Sequence, residues 1–257
     1  MKICRYLDTA SNAPTFGIVE GDVVFAGEGD VFGGLTKGAE VGPVGEVKLL
    51  APIEPGKVVA IGMNYLKHVK ELDATREVPV EPVVFMKPQS SIIGPGEPVR
   101  LAYPENDTHY EAELVVVIGK TASRVKEADA LDYVLGYTAG NDVSDRVQQN
   151  AGLQWIRGKG YDSYLPLGPV IETELDPGNV TVQSRLNGAV RQDDNTDGLI
   201  FSVPFLIEFL SDVMTLNPGD IIMTGTPHGV GGMHAGDTID IEIGGVGVLS
   251  NPVVNRD

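Results

Sequence analysis

The sequence predicts a mostly β protein with a few short helices, an α+β arrangement. Thirty-two glycines and seventeen prolines among 257 residues cut the chain into short pieces, which favours strands and turns over long helices. Apolar, β-branched runs recur between turn signals, and helical periodicity is confined to a few brief segments.

In chain order, Lys2 to Leu7 and Phe16 to Phe25 read as strands, with a hairpin turn at Glu20-Gly21-Asp22. Gly27 to Gly45 is glycine-rich and reads as loop. A boundary near Ala51 separates a small N-terminal β domain, 1–51, from a larger catalytic domain, 52–257. Lys57 to Gly62 is a buried strand; Asn64 is placed as the N-cap of a short helix that carries His68 and Glu71. These two are three apart and share a face. Asp73 to Glu81 is a charged, proline-punctuated loop. Pro82 to Lys87 and Val99 to Tyr103 are strands around a turn at Ile93-Gly-Pro-Gly-Glu97. Lys126 to Tyr133 fits a helix with Ala128, Leu131 and Val134 inward, and Trp155 anchors a glycine-rich loop. Val180 to Leu186 and Ala189 to Gln192 flank Asn187-Gly188, the strongest hairpin signal in the chain. Ser202 and Pro204 start a helix to about Met214, with Phe205, Leu206 and Phe209 facing the core. Ile221 to Thr224 is a strand, and Asp237 to Leu249 closes the chain as a hairpin. The segment Gly225 to Gly232 lacks a G-K-[ST] and a following helix, so it is no phosphate loop.

Hydrophobic content is 42%, ordinary for a globular chain of this length. No apolar run approaches the ~20 residues of a membrane span. The start, Met1-Lys-Ile-Cys-Arg-Tyr, has no signal-like apolar core, and Cys4 is the single cysteine; a cytoplasmic location is the expectation. Lys and Arg number 19 against 36 Asp and Glu, a net charge of −17. That balance argues against nucleic acid or anionic membrane as partner. An anionic substrate would need a local positive pocket.

Candidate chemistry gathers between Asp107 and Arg146. Glu111 and Glu113 are two apart, so on a strand both carboxylates project from one face. The run Leu114 to Ile118 behind them is apolar and buried. Two acids at the mouth of a buried strand repel and lose hydration, and a cation would remove both costs. Asp142, at the end of a strand from Tyr137 to Ser144, adds a third oxygen donor. Such a set suits a hard cation, Mg²⁺, Mn²⁺ or Ca²⁺. An exposed acidic strand end fits the same spacing. A carboxylate beside an imidazole, as at His68 and Glu71, suits a general base, although locally the pair also reads as an ordinary solvated one. Lys159 lies between two glycines, where backbone and ammonium can approach an anion; an exposed turn lysine is the plainer alternative.

Five segments occur in one order: Gly62-Met-Asn-Tyr-x-x-His68-x-x-Glu71, Tyr110-Glu111-Ala-Glu113-Leu, Asn141-Asp142-Val-Ser-x-Arg146, Gly158-Lys159-Gly-Tyr-Asp162 and Thr224-Gly-Thr226-Pro-x-Gly-Val230. Together they resemble the fumarylacetoacetate hydrolase family, in its shorter bacterial, acylpyruvase-like form, from about Ala51 onward. The resemblance implies a mixed β-roll catalytic domain and a homodimer. It implies Mg²⁺ or Mn²⁺ held by Glu111, Glu113 and Asp142, with Lys159 beside metal and substrate and Asp162 and Ser163 supporting the site. It places Arg146, Gln149, Gly225 and Thr226 around a small anionic 2-oxo acid. His68 and Glu71 become a catalytic dyad on a helix that orders when ligand binds, which reverses the local readings of His68 and Lys159.

The expected reaction is hydrolysis of a C–C bond in acylpyruvate- or fumarylacetoacetate-type 1,3-diketo acids. The metal would polarise a chelated ketone and stabilise an enolate, while the dyad activates water. Decarboxylation of oxaloacetate, or isomerisation of a 2-hydroxyhepta-2,4-diene-1,7-dioate of aromatic catabolism, passes through a similar enolate and stays open. An inactive metal-binding structural homologue is the alternative outside catalysis. Two positions depart from the family pattern: Asp145 for a small residue and Val147 for an aspartate. Both bear on the surroundings of Arg146, and so on substrate identity.

Overall fold

In a computed structural model, residues 1–256 are described, of Leu72 the backbone only. Strands dominate, as expected. One twelve-stranded sheet runs through Gly34–Pro43, Val23–Asp30, Ala13–Glu20, Lys2–Asp8, Leu165–Glu172, Val134–Asn141, Ala112–Ile118, Ile221–Met223, Val58–Gly62 and Val83–Lys87, with Leu49–Leu50 and Ile92–Ile93 pairing beside this path. A five-stranded sheet (Ala189–Asn195, Thr181–Leu186, Thr238–Ile243, Gly247–Asn255, Val99–Leu101) packs against it, and Ser144–Asp145, Thr108–Tyr110 and Gly231–Gly232 form a third. Pairing is mixed: Ala112–Ile118 is antiparallel to both neighbours, whereas Ile221–Met223 runs parallel to Val58–Gly62.

Ala112–Ile118 is the spine. Its side chains alternate between two cores: Leu114, Val116 and Ile118 enter one cluster, Val115 and Val117 the other. Both faces of the strand are covered, which is why its sequence is continuously apolar rather than alternating. Glu113 shares parity with Val115 and Val117, so its carboxylate enters the fold at the end of a buried row. Among the described residues, no helix is long and apolar enough to cross a membrane.

Several local expectations are corrected. Gly27 to Gly45 is not loop: Val23–Asp30 and Gly34–Pro43 pair as a hairpin with register shifts, because ladder hydrogen bonds need backbone rather than side chains. Asn64 does not cap the helix. Leu66–Leu72 begins after Tyr65 without a side-chain cap, and the Asn64 amide instead donates to the carbonyls of Phe201 and Thr224. The segment Glu127–Tyr133 is a 3₁₀ helix burying Ala130, while Leu131 stays exposed. In Val203–Val213 the buried stripe is Val203, Leu206, Ile207 and Leu210; Phe205 and Phe209 are half-buried and stack on each other. Arg146–Ala151 and Ile156–Lys159 are short helices not foreseen from the sequence. The closing strand continues to Asn255.

Candidate active site

Glu111 sits at the break between Thr108–Tyr110 and Ala112–Ile118. Its N–H donates to Asn141 Oδ1 (2.9 Å), and its carbonyl accepts from Asp142 N–H (2.9 Å). Those two bonds bring the acidic residues of different strands together. One ligand atom from each of Glu111, Glu113 and Asp142 lies within 4.8 Å of the others, and all three residues are buried.

Three cations answer them. Lys159 Nζ bridges Glu111 Oε2 (2.7 Å) and Asp142 Oδ2 (2.5 Å). Lys87 Nζ donates to Asp142 Oδ1 (2.6 Å). Arg146 Nη2 pairs with Glu111 Oε1 at 2.6 Å, and among the described residues its Nε has no hydrogen-bond partner. Among the described residues, Glu113 receives only the N–H of Gly225, at 2.8 Å.

The consequences diverge. Burial pushes the Glu111 carboxyl up, but Lys159, Arg146 and His68 outweigh it and hold the group well below the usual carboxylate range. Glu113 goes the other way, raised far above that range by burial and then by the charges of Asp142 and Glu111. Burial lowers the Lys87 ammonium, only partly offset by Asp142; for Lys159 the burial effect is overcome by Asp142 and Glu111, and the net shift is upward.

A cavity of about 440 Å³ opens on this cluster, lined by His68, Arg146, Gln149, Trp155, Lys159 and Thr226 together with the three acids. His68 is 4% exposed. Its Nδ1 is 3.2 Å from Glu71 Oε2, and the other oxygen of Glu71 accepts from Gly229 N–H at 2.9 Å. Burial lowers the His68 pKa, partly offset by Glu111 and by the Glu71 hydrogen bond. Gly225 needs its backbone shape (φ +100°), since a Cβ there would meet Asn64 Cβ at 2.8 Å.

Not every expected residue converges. Asp162 is exposed and does not line the cavity. The Ser163 hydroxyl accepts from Arg100 N–H (2.8 Å), away from the acids. Of the two departures, Asp145 caps the helix that begins with Arg146, accepting from Gln148 N–H (3.0 Å), and Val147 faces outward. Sequence reasoning missed Lys87, His109 and Gln192. A lysine ending the apolar strand Val83–Lys87 was the available signal for the first. His109 lines the cavity and pairs with Asp107 (2.8 Å). Gln192 carried no local signal at all.

The donor set fits a hard divalent cation: three convergent carboxylates, no sulfur, and one of them, Glu113, without an ion-pair partner among the described residues. A mixed β fold holding an acidic cluster next to a histidine–carboxylate pair defines a candidate metal-dependent enzyme. Residues 57–254 match the fumarylacetoacetate (FAA) hydrolase C-terminal family, and residues 1–52 match the Rv2993c-like N-terminal family. The chain belongs to the fumarylacetoacetate hydrolase family. It is 44% identical over 221 residues to the mitochondrial oxaloacetate tautomerase fahd2 of Xenopus laevis, covering 81% of this chain and 69% of that protein. The structure of a 2-hydroxyhepta-2,4-diene-1,7-dioate isomerase from Mycobacterium marinum superposes with a TM-score of 0.91 at 40% identity, covering 100% of this chain and 99% of that one. The maleylpyruvate hydrolase of Sphingobium sp. SYK-6, solved with manganese(II) and pyruvate, superposes with a TM-score of 0.82 at 31% identity over both full chains.

Proposed function

We propose that the protein is a divalent-metal-dependent enzyme that moves a proton on a small anionic 2-oxo acid, with keto–enol tautomerisation of oxaloacetate as its first assignment. The observation that carries the proposal is that His68, paired with Glu71 behind it, lines the same cavity as the acidic triad and Arg146. The order differs from the sequence-based expectation, which put C–C hydrolysis first. What moves it is the 44% identity to an oxaloacetate tautomerase.

Charge supports the substrate class. Glu111 and Asp142 are already paired with Lys87, Lys159 and Arg146, so the cluster carries no large excess of negative charge. Glu111, Glu113 and Asp142 would hold Mg²⁺ or Mn²⁺, which when bound supplies Lewis-acid polarisation of the ketone. The added charge of +2 suits a dianion against the −17 background. Arg146 also lines the cavity, where its charge favours a substrate carboxylate.

With Nδ1 tied to Glu71, His68 presents Nε2 as its base. In the enol-to-keto direction that nitrogen takes the enol hydroxyl proton and returns a proton to C3, so no proton is gained or lost overall. Lys159 stabilises negative charge while the proton is in transit. Burial favours the neutral imidazole, the form that can accept a proton.

Hydrolytic cleavage of acylpyruvates is the second reading. It is favoured by the likeness to the maleylpyruvate hydrolase, and there the same nitrogen would deprotonate water. The test follows the enol absorbance of oxaloacetate and, in parallel, pyruvate release from acetylpyruvate and fumarylpyruvate, each with Mg²⁺ and with EDTA. Metal-dependent loss of the enol band without pyruvate release supports the first reading. Pyruvate release from a diketo acid as the faster reaction replaces it with the second.

A further inference from the structure

Gln192 lies on the strand Ala189–Asn195 and is fully buried. Its side chain reaches both halves of the site. Oε1 accepts from Ala112 N–H (3.0 Å), the peptide between Glu111 and Glu113. Nε2 lies 2.8 Å from Thr226 Oγ1 and 2.8 Å from the carbonyl of Pro227.

The direction of these bonds is fixed by chemistry. A backbone N–H only donates, so the amide atom facing Ala112 is the oxygen. A carbonyl only accepts, so the atom facing Pro227 is the nitrogen. Nε2 has two hydrogens, one for Pro227 and one for Thr226. The Thr226 hydroxyl therefore accepts at Gln192, and its own proton is left over. Among the described residues Thr226 donates to nothing, and it lines the cavity while only 4% exposed.

We propose that Gln192 is a positioning residue that makes Thr226 a one-way hydrogen-bond donor to a carboxylate oxygen of the bound substrate. The proposal rests on the 2-oxo acid reading above for the identity of that oxygen. A carboxylate is acceptor-only, so a hydroxyl locked as a donor selects it over a group that also presents hydrogen. Because Gln192 also holds the Ala112 peptide, it sets the spacing between this donor and the two glutamates.

Trp155 is the single tryptophan and lines the cavity, so its fluorescence, checked by calorimetry, reports binding without turnover. The Mg²⁺-loaded protein is titrated with pyruvate and, separately, with oxalate. Thr226→Val should weaken pyruvate by about tenfold or more, as expected for one hydrogen bond to a charged group. Thr226→Ser should stay close to wild type. Gln192→Met should weaken pyruvate by about threefold to tenfold in the wild-type background and by clearly less in Thr226→Val, where only its hold on the Ala112 peptide is left to lose. A purely structural role for Gln192 would give the same loss in both backgrounds, and that result overturns the proposal. So does wild-type affinity in Thr226→Val. Should Gln192→Met fail to fold, the Thr226 pair decides: equal affinities for the Val and Ser variants overturn it. Binding of oxalate but not pyruvate would sink the 2-oxo acid reading while the same cycle, run on oxalate, still judges Gln192. Binding of neither removes both.

Discussion

The acidic and basic halves of the site are held by different means. Glu111, Glu113 and Asp142 stand at the ends of strands buried on both faces, and the cations around them are themselves immobilised. His68 and Glu71 ride on a seven-residue helix, too short to be stable in isolation. That helix is held by the buried side chain of Val69, by Glu71 on Gly229 N–H, and by Lys67 on Asp194 (3.0 Å). Asp73 to Glu81 follows it as an irregular, largely exposed stretch. On the proposed function, the contrast makes charge and proton transfer separable here. The first is built into the sheet, and the second is attached to it by a few polar contacts.

Glu113 gives the largest test of that separation. Chelation by EDTA, or Glu113→Gln, should abolish turnover, while Glu97→Gln on a remote turn should be nearly silent. Stability adds an independent readout. The folded-state pKa of Glu113 is raised, so folding favours its protonated form. The Glu113 contribution to metal-free stability, read as wild type minus Glu113→Gln, should then be greatest at low pH and decline as pH rises from the ordinary carboxyl range through the raised value, opposite in sign to that of the depressed Glu111. Thermal unfolding of both proteins against pH should show that decline in the difference between them. Mg²⁺ should raise the melting temperature of wild type only. A metal-free melting temperature with the same pH profile in both proteins would mean that Glu113 is not the strained member.

On the other half, His68→Ala should lower kcat by about 10²–10⁴ with Mg²⁺ affinity unchanged. The wild-type pH profile carries a sign. Burial disfavours the imidazolium, so the neutral base survives to lower pH than a free histidine, and the acid limb of kcat/KM should fall below about 6.5. Glu71→Gln should cost about tenfold, less than loss of the base itself. Glutamine keeps an oxygen for Gly229 N–H while removing the charge that supports the imidazolium, so the acid limb should move further down. An unmoved limb would reduce Glu71 to a tether.

Much of the acidic half was legible in the sequence, because period-two spacing directs Glu111 and Glu113 to one side, although Glu111 sits at a break between strands and is held there by Asn141 and Asp142. The apolar row from Leu114 to Ile118 could be read for the same reason. Lys87 and Gln192 were not legible, since their contacts at Asp142, Ala112 and Thr226 span tens of residues and depend on which strands become neighbours. Asn64 failed as a cap because its side-chain oxygen accepts from the distant Phe201 N–H (2.8 Å) instead of from a helix N–H, and tertiary contacts override local preference. The glycine-rich hairpin from Val23 to Pro43 was hidden by composition: propensity reports side chains, whereas the ladder there is made by backbone.

The smallest effect sharpens the comparison most. Lys67 is 65% exposed and pairs with Asp194, 11% exposed, which also lies 3.3 Å from His228 Nδ1. A pair so open to water is worth roughly 0–1 kcal/mol, so Lys67→Met should lower kcat by no more than about fivefold. High salt screens exposed pairs, so wild type and variant should converge as ionic strength rises, while the Glu71→Gln deficit, which is partly buried, should persist. Measuring kcat for the three proteins across a salt series separates anchoring of the helix from tuning of the base. If Lys67→Met were as damaging as Glu71→Gln and equally insensitive to salt, then holding the helix, rather than supporting the charge on His68, would be what Glu71 contributes.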